Sequence, residues 1–362
     1  MTKTLIPRGP VMADVAGTVL TDEERRRLRH PAVGGVILFR RNFESVEQLR
    51  ALTEQIRSLR TPHLVIAVDH EGGRVQRFID GFTRLPAMNV LGKLWDEKGE
   101  KFATDKAKAV GWVLATELVA CGIDLSFTPV LDLDWGKNQV IGNRSFHRDP
   151  DIVSTLAMAL QEGMLRAGMS SCGKHFPGHG FVGGDSHHVL PEDNRDLQTL
   201  LADDIKPFAL LSLHQMAAIM PAHVVYPKVS NKPAGFSKEW LQDILRNKIG
   251  FKGVIFSDDL TMEGASGEGN IKARANSAFA AGCDIVLVCN RPDLVDELLE
   301  NFKMPENAQL INRWHKLSIN NAQIKQAALT IQTDYFEQAA QEVCVLSTPK
   351  DIENGVQVGE AF

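Results

Sequence analysis

Residues 174–188, KHFPGHGFVGGDSHH, bring together four histidines, four glycines, a proline and an aspartate. Side chains that titrate near neutrality, on backbone loosened by glycine, suit three kinds of chemistry. One is metal binding: His175, His179 and His187 or His188, with Asp185, are ligand types for zinc or iron. Against it, the helical two-histidine signature is missing and the glycines would hold such ligands poorly. A second is a phosphate cradle, but GHG and VGGD have neither the spacing of a phosphate-binding loop nor its terminal Lys-Ser/Thr. The third is proton transfer. Asp185 stands two residues before His187, close enough in an irregular turn for a carboxylate to orient the ring and stabilise its protonated form. Gly178, Gly180, Gly183 and Gly184 then predict a hinged loop that carries this pair.

Other ionisable residues follow apolar runs elsewhere: Asp69-His70-Glu71 with Arg74, Asp132 and Asp134, Lys174-His175, His223, and Asp258-Asp259. An aspartate after a strand commonly caps a helix, and Asp259 reads that way; Asp132 and Asp134 read as structural. Asp258 differs. It comes directly after the buried run GVIFS, where an unpaired carboxylate is costly, and it is of a type to serve as a nucleophile beside an Asp185–His187 dyad.

The elements that must position these residues are legible as eight short apolar runs separated by helix-patterned segments. The runs are PVMADVAG from Pro10, GGVILF from Gly34, LVIAVD from Leu64, IDLSFTPVLD from Ile123, MSSCGKH from Met169, AAIMPAH from Ala217, GVIFSDD from Gly253 and DIVLVC from Asp284. Strands of this kind are buried on both faces under crossover helices. Thr21/Glu24 and Ser45/Gln48 stand where helix-opening caps are expected. Eight such units predict an α/β fold, a single-domain (β/α)8 TIM-type barrel with catalytic groups at the carboxyl ends of its strands. An open, doubly wound sheet alternates in the same way, but ADVAGTVL, at the first strand, carries no dinucleotide-binding glycine fingerprint. Past Asn290, PDLVDELLENF and residues 307–341 predict extra C-terminal helices packed on the barrel, with residues 342–362 as a polar tail.

A formal net charge of −5 and an isoelectric point near 6.1 argue against nucleic acid or an anionic membrane surface as partner, and favour a small ligand. Five cysteines, odd in number and scattered, read as reduced core residues and point to a cytoplasmic location. The first fifteen residues reach polar and proline positions too early for a signal core, and no later apolar run is of membrane-spanning length.

KHFPGHG, DHEGGRVQR from Asp69, IGNRSF from Ile141 and IFSDDLTMEGA from Ile255 resemble, as a set, the motifs of bacterial β-N-acetylglucosaminidases of glycoside hydrolase family 3. The resemblance implies an exo-enzyme that removes non-reducing N-acetylglucosamine from peptidoglycan fragments, anhydro-muropeptides in cell-wall recycling, with no cofactor and no metal. It implies Asp258 as nucleophile, His187 as general acid/base and Asp185 as its partner, with Asp69, Arg77, Arg144, Lys174 and His175 holding the sugar. His70, His179 and His188 receive no role beyond packing. The chemistry so implied is a retaining displacement through a covalent glycosyl-enzyme intermediate, with histidine where most such enzymes use a second carboxylate. Phosphorolysis, a metal-dependent hydrolysis and a sugar-binding barrel without turnover are the alternatives.

Overall fold

The computed structural model describes residues 5–183 and 190–347. Among these, eight parallel strands make one sheet: β1 (Val11–Asp14), β2 (Val33–Leu38), β3 (Val65–Val68), β4 (Leu125–Ser126), β5 (Cys172–Phe176), β6 (Ala218–Pro221), β7 (Val254–Asp259) and β8 (Ile285–Val288). Each falls within one of the eight apolar runs, overrunning it by at most one residue. Hydrogen-bonded neighbours run β4-β3-β2-β1-β8-β7-β6-β5. The ring closes between β4 and β5 through isolated parallel bridges, Leu125 with Ser170 and Val130 with Lys174. The fold is the expected (β/α)8 barrel.

Strands such as VIAV of β3 are buried along their whole length because alternate side chains enter two different cores. Met12, Val65, Leu125, Phe127, Phe256 and Ile285 fill the barrel interior. The opposite face of each strand meets the surrounding helices, as with Val11, Val36, Ile66 and Ile255. The predicted Thr21/Glu24 box is complete at helix Asp22–Leu28. At helix Val46–Ser58, Ser45 accepts the Gln48 N–H, but the Gln48 side chain turns to the Glu44 N–H, so only half of the second box forms.

The stretch 307–341 folds as three helices, Leu310–Leu317, Asn321–Thr330 and Asp334–Cys344, and the expected body-to-tail boundary at 341/342 falls inside the last. The first of them closes the amino-terminal end of the barrel. Leu310, Trp314 and Leu317, one helical stripe, join the interior core, and the Trp314 indole N–H donates to the Gly9 carbonyl at 3.0 Å. Gly34 makes this possible: a Cβ there would stand 2.1 Å from the Gly9 carbonyl oxygen and 2.6 Å from the Trp314 ring. All five cysteines are unpaired, four of them buried. No described helix is long and apolar enough to cross a membrane.

Candidate active site

At the carboxyl ends of the strands lies a cavity of about 270 Å3. Asp69 enters it directly after β3. A two-stranded ribbon, His70–Gly72 with Val75–Gln76, then carries Glu71 and leads to Arg77. The turn Gly142–Arg144 supplies Arg144, β5 supplies Lys174 and His175, and the end of β7 supplies Asp258. Asp69, Arg77, Arg144, Lys174, His175 and Asp258 therefore line one cavity. Asp185 and His187 lie outside the described residues. Ile37, Phe39, Met220 and Leu287 add an apolar component.

The polar wall is a buried ion network. Lys174 Nζ lies 2.5 Å from Asp69 Oδ1 and 2.6 Å from Glu71 Oε1. Arg144 grips Glu71 with both arms, Nε and one terminal nitrogen each donating at 2.8 Å. Burial alone would raise the Glu71 carboxyl, but Arg144 and then Lys174 hold it well below the usual carboxylate range. Burial likewise pulls the Lys174 ammonium down, and Asp69 and Glu71 more than reverse it, so the lysine stays charged. Sequence alone places Glu71 at a strand end and gives it no role there, because its partners are 73 and more positions away.

Asp132, read from sequence as structural, supports this wall from behind. Fully buried, it lies 2.7 Å from His175 Nδ1 and accepts the backbone N–H of His175 and, at 2.6 Å, of His179. A carboxylate only accepts, so Nδ1 of His175 carries a proton. Burial opposes ionisation of Asp132, and the His175 and His179 contacts overcome it, leaving its carboxyl below the ordinary value. Asp134 instead accepts the Gly136 N–H in a turn. His223 is buried, stacks on Phe236 and lies 3.0 Å through Nε2 from the Asp259 carbonyl.

Asp258 and Asp259 are dissimilar. The Asp259 carboxylate accepts from the Thr261 N–H at 2.9 Å, the Thr261 hydroxyl at 2.8 Å and the Cys289 N–H at 3.1 Å. It caps no helix, since the turn that follows opens at Met262; it braces the end of β7 against the end of β8. Burial, aided by the charge of Asp258, pushes its carboxyl up to about 7. Asp258 is half-buried on the cavity and accepts the Asp259 N–H at 2.8 Å.

The glycine-rich loop differs from the hinge expected of it over its described part. Gly178, at φ +137°, would press a Cβ to 2.6 Å from Asp204, and a Cβ on Gly180 would meet the Leu133 carbonyl oxygen at 1.9 Å. These two glycines serve close packing. His179, buried beside them, has its imidazole pushed down to about 4 by burial and by His175. His70 is fully buried between Phe78 and Phe82, and burial together with Arg77 takes it down to about 3. Among the described residues no group of three or more histidine, cysteine or acidic side chains is arranged to hold a metal ion.

A parallel barrel with an ion-paired pocket and a presented carboxylate at its carboxyl end defines an enzyme for a small polar substrate. The chain belongs to glycosyl hydrolase family 3, whose N-terminal domain model matches residues 11–333, and it is a glycoside hydrolase. It is 65% identical over 362 residues, all of both chains, to a beta-hexosaminidase of Neisseria meningitidis serogroup A / serotype 4A. The structure of NagZ from Neisseria gonorrhoeae in complex with N-trifluoroacetyl-D-glucosamine is 62% identical with a TM-score of 0.91, covering 95% of this chain and 100% of that one. NagZ from the same organism in complex with zinc ion matches at 61% identity and a TM-score of 0.90, over 95% and 100% of the two chains.

Proposed function

We propose that the protein is a retaining exo-β-N-acetylglucosaminidase that takes non-reducing N-acetylglucosamine from peptidoglycan fragments in the cytoplasm. The observation that carries this reading is the single cavity lined both by Asp258 and by the Asp69–Lys174–Glu71–Arg144 network. Charged groups that are already paired and desolvated offer fixed donors and acceptors to sugar hydroxyls without reorganisation. Asp69, Arg77, Arg144, Lys174 and His175 hold the sugar in this scheme. The similarity to a gonococcal protein that binds an N-acylglucosamine supports the choice of sugar. Five unpaired cysteines are compatible with a reducing compartment. The catalytic body takes in the whole of helix Asp334–Cys344, whose Val343 is buried in the core, past the 341/342 boundary expected from sequence.

In the first step the Asp258 carboxylate bonds to the anomeric carbon as the bond to the aglycone oxygen breaks, and His187, oriented by Asp185, gives its proton to that oxygen. In the second, His187 takes a proton from water, the resulting hydroxyl bonds to the anomeric carbon, and Asp258 leaves as a carboxylate. The sum is one water consumed per bond cleaved. Release of a chromogenic aglycone from a β-N-acetylglucosaminide, set against the β-glucoside, tests the reading with phosphate and chelator varied. Preference for the N-acetyl sugar with free sugar as product supports it. A sugar 1-phosphate as product in phosphate buffer replaces hydrolysis by phosphorolysis.

Metal-dependent hydrolysis is a second reading, favoured by the zinc of the gonococcal relative. The covalent route needs no Lewis acid, so exhaustive chelation is expected to leave turnover unchanged. Activity lost to chelation and restored by zinc alone overturns the covalent route.

A further inference from the structure

A second cavity, of about 490 Å3, has no task in the chemistry above, although it opens at the same end of the barrel as the first. Its walls come from strand ends: Asp14 closes β1, Arg41 follows the end of β2 by three residues and Asn290 follows the end of β8 by two. Helix Asp22–Leu28 adds Glu23, Glu24 and Arg27. The two cavities share a wall. Asn290 lines both, and the Arg41 guanidinium lies 4.6 Å from the centre of the Phe39 ring, which lines the catalytic cavity.

What the second cavity can bind follows from which of its polar groups are already engaged. Both Glu24 oxygens are taken: Oε1 accepts the Ala16 N–H at 2.6 Å, and Oε2 accepts the Thr21 N–H at 2.7 Å and the Thr21 hydroxyl at 2.9 Å. Asp14 Oδ2 accepts the Asn290 N–H at 2.8 Å and an N–H of Arg41. Donors are left over. Arg41 also gives Nε to the Val15 carbonyl at 3.3 Å and Nη1 to Asn290 Oδ1 at 2.8 Å, so one N–H on each of its terminal nitrogens meets no described residue. A guanidinium only donates, which fixes the Asn290 amide with Nδ2 as its free end, and Nδ2 likewise has no partner among the described residues. The Arg27 side chain is only 7% exposed; Asp296 and Glu23 hold its Nε and Nη2, and Nη1 is bound by nothing described. A donor that deep is costly unless water or a ligand accepts from it. Glu23, exposed at the rim, engages Arg27 through Oε1 and keeps Oε2.

We propose that this second cavity binds the peptide carried by the aglycone, with a peptide carboxylate on Arg27, Arg41 and Asn290 and an ammonium group on Glu23. The inference rests on the peptidoglycan-fragment reading above. An exo-enzyme holds one sugar in its catalytic cavity, so everything past the cleaved bond lies outside it, and a peptide that extends about 3.3 Å per residue can cross a shared wall. The free donors call for an acceptor, and a carboxylate matches the paired N–H groups of a guanidinium. A bare anion matches less well, since Asp14, Glu23 and Glu24 outnumber Arg27 and Arg41, and an ammonium group on the same ligand offsets that excess. The ligand class is therefore a zwitterionic peptide.

The test uses two fragments that differ in the peptide alone, the disaccharide of N-acetylglucosamine and anhydro-N-acetylmuramic acid with and without it, and reads the ratio of their kcat/KM values from released N-acetylglucosamine. In the unaltered protein the ratio is expected to favour the peptide-bearing fragment by about 10-fold, the effect of a charge-assisted pairing. Arg27→Gln and Arg41→Gln are each expected to bring the ratio close to 1, and Glu23→Gln to lower it by about 3-fold. A second arm needs no variant: with the unaltered protein, amidation of the peptide carboxylates should lower the ratio as the arginine variants do, and acetylation of the peptide amine as Glu23→Gln does. A ratio near 1 in the unaltered protein, a ratio that amidation leaves unchanged, or equal losses on both fragments in the arginine variants would overturn the inference, the last by assigning Arg27 and Arg41 to the fold. The two levels separate cleanly. If the unaltered protein releases no N-acetylglucosamine from either fragment, the functional reading itself falls; if it releases the sugar at a ratio near 1, only the role of the second cavity falls.

Discussion

Asp258 and Asp259 are adjacent in the chain and both line the cavity, and in the displacement proposed above Asp258 is the one that attacks. Three donors hold the Asp259 carboxylate and brace two strand ends, and Asp258 accepts the Asp259 N–H. Asp258→Ala is expected to lower kcat by about 10⁴-fold or more without loss of fold, since a nucleophile supplies a reaction path that binding cannot replace. Asp259→Asn keeps the shape of a group already near neutral and is expected to cost less than about 10-fold, a packing-scale effect. Mass spectrometry after trapping with a fluorinated substrate analogue reads the answer directly; a label on Asp259 moves the nucleophile by one residue. The position of Asp258 at a strand end on the cavity was legible from its place after a buried run. The roles of Glu71 and Asp132 were not, because their side chains pair with Arg144, Lys174 and His175, 43 or more positions distant, and one sequence gives no view of such pairs.

Strands and helix starts were readable because their signals are local: apolar runs set the eight strands, and Thr21/Glu24 capped the helix it was expected to cap. The described part of the glycine-rich loop was misjudged for the same reason. Glycine signals both freedom and close approach, and only the neighbouring backbone of Leu133 tells which applies at Gly180. A comparable hidden feature lies on helix Glu100–Ala120, where the buried Glu117 carboxyl accepts the Thr83 N–H at 3.0 Å and the Thr83 hydroxyl at 2.6 Å. Burial outweighs those donors and raises the carboxyl from 4.5 to about 7. The native state then holds a proton that the unfolded chain has released, so stability is full below about pH 4.5 and is lost as pH rises through about 7. The loss attributable to this group is at most about 3 kcal/mol. Urea titrations from pH 5 to 8 should show that slope reduced in Glu117→Gln, with the variant the more stable at pH 8. An unchanged slope would mean that Glu117 stays ionised in the fold.

At the scale of the molecule the barrel has two ends with different tasks, and helix Leu310–Leu317 serves the end away from the chemistry. Sequence placed extra helices against the barrel but could not say that one of them stops it, because Trp314 gains its meaning from Gly9, Gly34 and Gly35 at the amino ends of β1 and β2. The same helix is tied by Arg313 to Asp284, which also accepts from Arg246 and Asn307, so the plug is held at its rim as well as its centre. Removing the indole empties a site walled by Phe256 and strand backbone that cannot collapse inward without bending the sheet. Trp314→Ala is therefore expected to cost about 3–5 kcal/mol of unfolding free energy in urea, and a chain ended before Leu310 should fail to give a cooperative transition. Turnover per folded molecule of Trp314→Ala should match that of the unaltered protein, because cavity and plug sit at opposite ends of rigid strands. A fall in kcat that persists after correction for the folded fraction would show that the plug sets the carboxyl-end geometry, and would make the amino-terminal stopper part of the catalytic machinery.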